Sequence, residues 1–404
     1  MKIGSLIKAN RTKLGMTQNE LANGICSIPH LSKIENNNKE ANEETIRLLL
    51  ERLNIQLQSV IESEAFIQQD LLELEEHIFY VDHEKCKEVY TRLLTRESLI
   101  AYTDYLYRYE LLKLRYFIFI YDYNQLDEQI IWLNNNKNNF SQYERYLLTY
   151  FYALSLMIRG RFAEANVHFN ELLSQPIDFE RFEGEFYYHV SVAKSRLNEN
   201  GQAIIYGRKA LELFKDQFNF KRISFTLMAL GLSYSQDEIF DEALVLLKHA
   251  MRNAIYLQQT DILPNIYQYI SFIYENKGEY NEVLNYLTLS LALLKEDNPQ
   301  YKGNLFNRAF ILFKLTNNEE SKLQFEKLKN LSSKSEPFYH LSNFYLLLLD
   351  GDKKEAMKYL EERVLAIMEK SHDMKPLYLF LVKTLREYYL TNQQYEKALK
   401  YSIE

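Results

Sequence analysis

Glycine and proline are scarce in this chain, at 11 and 6 residues out of 404. These residues end helices and shape turns, so their scarcity predicts a protein that is almost entirely helical. There are only two cysteines, Cys26 and Cys86, which excludes a disulfide framework and a cysteine-built metal centre. No apolar run approaches the 18 or so residues that a membrane span needs, and no signal-peptide pattern opens the chain. We therefore expect a cytoplasmic protein with no membrane partner. The histidines (His30, His77, His83, His168, His189, His249, His340 and His372) are scattered, with no His-x-x-x-His pair. A glycine-rich phosphate loop and a nucleophile elbow are also missing. The expectation is a non-enzyme, with no catalytic residue, metal or cofactor.

What is present is unevenly charged. The net charge is −7, yet Lys2, Lys8, Arg11, Lys13, Lys33 and Lys39 face only Glu20 and Glu35 in the first 39 residues. A basic end on an acidic body suits a polyanion at the N-terminus alone.

That basic end reads as a series of short helices. Ile3 to Lys13 places Ile3, Leu6 and Ile7 on one face, and Gly15 stands where a terminating glycine would. In "TQNELANGICSIPHLSKIE" (17–35), Thr17 and Glu20 have the spacing of a capping box, and Gly24 permits a tight turn. Ser27 is a cap for the next helix, with Pro29 in its first turn, where the missing N–H costs nothing. A fourth helix, "EETIRLLLERL", adds Ile46, Leu49, Leu50 and Leu53 to a small core. Two short helices joined this tightly form a helix-turn-helix, whose second helix enters the major groove of duplex DNA. The open face of that helix offers Ser27, Ile28, His30, Ser32 and Lys33 to base edges. Gln18, at a helix N-terminus, together with Arg11 and Lys13, makes the expected phosphate contacts.

From residue 62 onward a pattern recurs: "GRFAEANVHF", "NGQAIIYGRKAL", "EIFDEALVLLKHAM", "GEYNEVLNYL", "GDKKEAMKYL" and "NQQYEKALKY". A small residue sits mid-pattern at Ala165, Ala203, Ala243, Val283, Ala356 and Ala398, and a weaker copy, "NNEESKLQF", puts Lys322 in that slot. Each period holds two amphipathic helices, the small residue letting the second pack closely on the first. Counting back from each slot assigns the inner-face positions two and five of the first helix. Asn265 and Asn304 fall at position two, and Tyr188, Gln268, Asn307 and Lys383 at position five. Asn and Gln both donate and accept, which suits a peptide backbone. A short peptide in the groove is the expected ligand.

"LMALGLSYSQDEIFDEALVLLKHA" (227–250) resembles the tetratricopeptide repeat through Leu230-Gly231, Tyr234, Ala243, Leu247 and Ala250. "TQNELANGICSIPHLSKIE" resembles the Xre/Cro-type helix-turn-helix over residues 3–55. Joined, they look like the RRNPP-type peptide-pheromone-sensing regulators, the group of Rgg, Rap, NprR, PlcR and PrgX. The resemblance implies an all-α fold, with a right-handed superhelix of tetratricopeptide-like helix pairs after the helix-turn-helix. Three domains are expected: 1–60 for DNA, 61–140 as a helical linker or degenerate repeats, and 141–404 for peptide and dimerisation. The implied partners are duplex DNA at a palindromic operator, a short signalling peptide and a second copy of the chain. The chain departs from the family at Ala229, where Rap-like proteins carry an Asn, and residues 62–140 do not resemble the Rap three-helix bundle. Two other functions are compatible with the same architecture: a Rap-like interaction protein that sequesters a response regulator, and a phage-type repressor.

Overall fold

The computed structural model describes residues 3–37, 41–175, 182–369 and 374–402, so Lys2 and Lys39 lie outside the described residues. All regular structure in these residues is helical, and no strand occurs among them. The chain divides into two compact units, residues 1–233 and 234–404.

The first four helices are α1 (Ile3–Lys13), α2 (Gln18–Ala22), α3 (Ile28–Glu35) and α4 (Glu43–Arg52). Their ends follow the local chemistry. Thr17 accepts from the Glu20 N–H while the Glu20 carboxylate accepts from the Thr17 N–H at 2.6 Å, completing the capping box. Ser27 caps α3 and Asn42 caps α4. Leu21, Ala22, Leu31 and Leu49 are fully buried between these helices. One contact was not legible in the sequence. At Gly4, α1 crosses α3 so closely that an added Cβ would lie 1.8 Å from the Ile34 carbonyl oxygen, so only glycine fits.

No linker follows. Helix α5 (Leu57–Phe79) carries Val60 into the helix-turn-helix core, then Ile67, Leu71, Leu74 and Ile78 into the next core. Leu99, in the short α7 (Glu97–Ile100), and Tyr102 pack against the same small core from beyond it. A cleft of about 380 Å³ lies between α1, the start of α5 and this segment.

The remainder is a run of helix pairs. In the first unit these are α5 with α6 (His83–Thr95), α8 (Leu106–Phe119) with α9 (Tyr123–Asn136), α10 (Gln142–Met157) with α11 (Phe162–Leu173), and α12 (Glu183–Arg196) with α13 (Asn200–Asp216). Helix α14 (Phe220–Gln236) runs through the division, and α15 (Phe240–Tyr256) follows it. Then come α16 (Leu263–Asn276) with α17 (Tyr280–Leu293), and α18 (Pro299–Lys314) with α19 (Asn318–Leu331). The next pair is α20 (Pro337–Leu349) with α21 (Lys353–Tyr359), which continues through a π turn (Leu360–Val364) into α22 (Leu365–Met368). Last are α23 (Lys375–Thr391) and α24 (Tyr395–Leu399).

One geometric rule phases all of them. Between the helices of each pair a single residue adopts left-handed backbone: Val81, Tyr121, Gly160, Asn198, Glu238, Gly278, Thr316, Gly351 and Gln393. Five positions later comes a residue with no more than 2% exposure: Cys86, Leu126, Ala165, Ala203, Ala243, Val283, Ser321, Ala356 and Ala398. Two results follow. Residues 61–140 hold two regular pairs, hidden in the sequence because their slots hold Cys86 and Leu126 rather than Ala or Val. The slot assigned to Lys322 is also corrected. Lys322 is exposed and pairs with Asp350 at 2.6 Å, whereas Ser321 is buried and donates to the Ala309 carbonyl at 3.0 Å.

Candidate functional sites on the helix-turn-helix and the repeat faces

Helix α3 turns Leu31 and Ile34 inward, which leaves its opposite side open. Ser27, Ile28 and Lys33 are exposed there, and His30 and Ser32 are half-buried. The Ser27 hydroxyl accepts from the His30 N–H at 3.3 Å, so it serves as the helix cap. A helix presented this way can enter a groove about 12 Å wide.

Two of the expected phosphate contacts have another task. The Arg11 guanidinium donates to both carboxylate oxygens of Glu35, at 2.6 and 3.1 Å, and to the Met16 carbonyl at 2.7 Å. Gln18 donates its amide to the same carboxylate at 2.7 Å. Glu35 is only 2% exposed, so these three side chains brace α1, α2 and α3 against one another. Arg11 and Gln18 thus also serve as structural ties: a buried carboxylate has to be paired, and they pair it. Arg52 went unnoticed in the sequence. From α4 it donates to the Leu21 carbonyl at 2.9 Å and to the Asn23 carbonyl, capping the C-terminal end of α2. The signals for Glu35 and Arg52 were invisible because their partners lie 17 to 31 residues away.

The expected groove residues separate in the same way. On α16, Asn265 is half-buried and has no side-chain hydrogen bond among the described residues, and Gln268 accepts from Gln300 of α18 at 2.8 Å. Moving the slot from Lys322 to Ser321 rotates the reading of α18 by one residue, about 100°. Positions two and five then become Gly303 and Phe306. This explains why Asn304 is fully buried, donating to Ser290 Oγ at 2.8 Å, and corrects its assignment to the open face. Asn307 is half-buried beside position five, and Lys383 of α23 is exposed. Aromatic contacts join the same faces of α18, α20 and α23: Phe306 lies 6.0 Å from Phe338, and Phe310 lies 5.9 Å from Phe380.

Tyr188 belongs to the first unit, on α12, with the Arg222 guanidinium 6.0 Å from its ring centre. Beside it is a charge cluster absent from every sequence expectation. Glu185 (0% exposed) accepts from Arg115 of α8 and, at 2.5 Å, from Arg222 of α14. Burial pushes the Glu185 carboxyl upward, but Arg115, Arg222 and His189 outweigh it and bring it down to about 2. Burial pushes His189 down to about 3, against the pull of Glu185, and its Nδ1 meets the Tyr150 hydroxyl at 2.8 Å. The N-terminal end of α14 also ties back to the end of α5. Asn219 donates to the Phe79 carbonyl at 2.8 Å, Arg222 to the same oxygen at 3.3 Å, and Lys221 to the Val81 carbonyl at 3.0 Å. Helix α5 is thus held at both ends, by the helix-turn-helix core and by a helix 140 residues further along. Among the described residues no His, Cys, Asp and Glu group is placed to hold a metal ion. No described helix is long and apolar enough to cross a membrane.

A braced helix-turn-helix followed by tetratricopeptide-like pairs resembles the architecture of the RRNPP-type regulators. Residues 7–60 match the family described as Helix-turn-helix. Over 402 residues the chain is 23% identical to the transcriptional activator NprA of Geobacillus stearothermophilus, covering 94% of this chain and 97% of that protein. The fold is similar to that of the apo form of the quorum sensor NprR from B. thuringiensis, with a TM-score of 0.72 at 21% identity, over 84% of this chain and 97% of that one. It is similar also to the apo form of RapI, with a TM-score of 0.65 at 14% identity, over 83% of this chain and 95% of that one.

Proposed function

We propose that this protein is a cytoplasmic, peptide-switched transcription regulator that reads operator DNA with α3 and binds a short signalling peptide on the inner face of its repeats. The observation that carries the reading is the open side of α3, with Ile28 and Lys33 exposed and His30 and Ser32 half-buried on a helix braced from behind by Glu35 and Arg11. The relationship to NprA, named a transcriptional activator, supports the DNA half. The peptide half draws on the fold it shares with NprR, one structure of which holds its cognate peptide NprX (TM-score 0.58). On this chain the proposed peptide residues are Asn265, Gln268, Asn307 and Lys383, all in the second unit. Asn304 is withdrawn. Two copies on a palindromic site double the contacts that one short reading helix supplies. Since α5 is shared, a shift among the helix pairs moves the reading head without passing through a loose linker.

Replacing His30 and Lys33 together by Ala should weaken binding to the specific operator more than to random DNA, each lost base contact costing about 1–3 kcal/mol. Lys13→Ala, an exposed phosphate candidate, should weaken both alike and flatten the salt dependence. Titration of labelled duplexes at two salt concentrations separates the two, and equal loss on both DNAs for the double variant would remove α3 from base reading.

A further inference from the structure

Glycine is, after proline, the residue that least favours a helix interior, so a helical glycine calls for a reason. Packing supplies it at two others: a Cβ on Gly184 would meet Phe214 at 3.1 Å, and one on Gly207 would meet Leu230 at 2.7 Å, while Gly201 has open space but sits in the first turn of α13, not its interior. Gly303, in the second turn of α18, has neither cause. Its φ is not left-handed, and an added Cβ would approach only Phe338 Cζ, at 4.0 Å. A side chain here would be tolerated and would favour the helix, yet the position is bare.

Its place explains the bareness. The slots at Val283, Ser321 and Ala356 put Asn265, Gly303 and Phe338 at the same position, two, on three successive first helices. The row therefore runs from a half-buried side-chain amide with no hydrogen bond among the described residues, across a notch with no side chain, to an aromatic ring. The flanking rows are filled: Gln268 is tied to Gln300 in one, and Phe310 packs on Tyr345 at 5.6 Å in another. An amide beside a ring-walled notch is complementary to a peptide unit followed by an apolar side chain. The amide donates to and accepts from the backbone, and the side chain covers the Phe338 ring.

We infer that Gly303 is a specificity residue: the notch above it receives one bulky apolar side chain (Leu, Ile, Met or Phe) of the bound peptide, whose adjacent backbone pairs with Asn265. The inference rests on the peptide-binding reading above and names the chemistry of one ligand position within it. Any residue larger than glycine at 303 fills the space from the protein side.

The test uses the tagged full-length protein and a synthetic heptapeptide library of equal composition, with captured peptides sequenced by mass spectrometry. Wild type should enrich peptides with a bulky apolar residue at one fixed position. Gly303→Leu should capture those peptides at least tenfold more weakly while melting at the same or a higher temperature, because the helix gains a better former. Gly303→Ala should raise the melting temperature too, with a smaller loss of capture. Opposite signs in binding and stability separate a blocked notch from a damaged fold. Equal capture by wild type and Gly303→Leu would overturn the notch while leaving peptide binding intact. If wild type enriches no peptide, the peptide-binding reading fails and the notch fails with it.

Discussion

The two units are built from the same helix pairs but fill their interiors differently. In the first, charge is buried: Asp70, Glu75, Glu110, Arg115, Glu185, Lys194 and Arg222 are each at most 9% exposed. Asp70 is held by Arg92 and Arg96, and Glu75 by Arg108. Among the described residues of the second unit, the buried polar side chains are all Ser, Asn or Gln. Several of its serines return their hydroxyls to backbone, as Ser290 does to the Pro264 carbonyl and Ser342 to that of Phe338. Rings do the remaining work, with Phe325 stacked on Tyr345 at 4.9 Å. The difference teaches how each interior is specified. Ion pairs recognise particular partners and tolerate no lone survivor, whereas rings and hydroxyls demand volume and shape.

The largest expected effect breaks the comparison at its centre. Glu185→Ala leaves Arg115 and Arg222 buried without their shared carboxylate and should cost about 3–5 kcal/mol. Phe325→Ala, in the second unit, should cost about as much, 3–5 kcal/mol, through the cavity it opens. The two are told apart by location. Hydrogen exchange should accelerate in α8, α12 and α14 for the first variant and in α18 to α20 for the second. Replacing Arg115, Glu185 and Arg222 together with apolar residues of similar volume should recover much of the loss seen in Glu185→Ala, and no recovery would mean that the cluster does more than satisfy itself.

Acid sharpens the contrast. His189 and Glu185 both have lowered values in the folded chain, so the unfolded chain binds the extra protons as pH falls. Their contributions are complete above about 6.5 and 4.5, the ordinary values for each group, and disappear as pH falls toward about 3 and 2. For Glu185 alone the difference amounts to roughly 3 kcal/mol, each unit being worth about 1.4 kcal/mol. Hydrogen exchange between pH 7 and pH 4 should therefore loosen α8, α12 and α14 before the helices of the second unit. Simultaneous loosening of both would remove charge burial as the distinguishing feature.

The smallest effect concerns Asn304. As a core side chain hydrogen-bonded to Ser290, it should cost about 0.5–1.5 kcal/mol of stability when replaced by Ala, and leave peptide capture unchanged. A variant with normal melting but lost capture would return Asn304 to the groove.

Much of the helix-turn-helix was legible because its signals are local. Thr17 meets Glu20 three residues away, Gly15 and Gly24 end their helices by themselves, and the apolar spacing of α3 selects its inward side. The repeat period was legible where the slot held Ala or Val. It failed where packing filled the slot with Cys86 or Leu126 instead. Among the candidate site residues, Ser27, Ile28, His30, Ser32 and Lys33 fall on or beside the open side of α3 as expected. Asn304 was misplaced by a one-residue error of phase.

By itself, then, the sequence determined that this chain is helical, that it begins with a capped helix-turn-helix, and that it continues as paired helices with a recurring buried slot. Each of these follows from contacts within a few residues, which a linear pattern records directly. Tertiary structure alone decided that Arg11 and Gln18 serve Glu35, that α5 belongs to two cores, and that Glu185 lies between Arg115 and Arg222. It also decided that Ser321, not Lys322, sets the phase of α18 and bares Gly303. These depend on partners 12 to 140 residues distant. A charge or a small side chain reads the same in sequence whether it meets solvent or a partner, and only the packing of distant helices chooses between them.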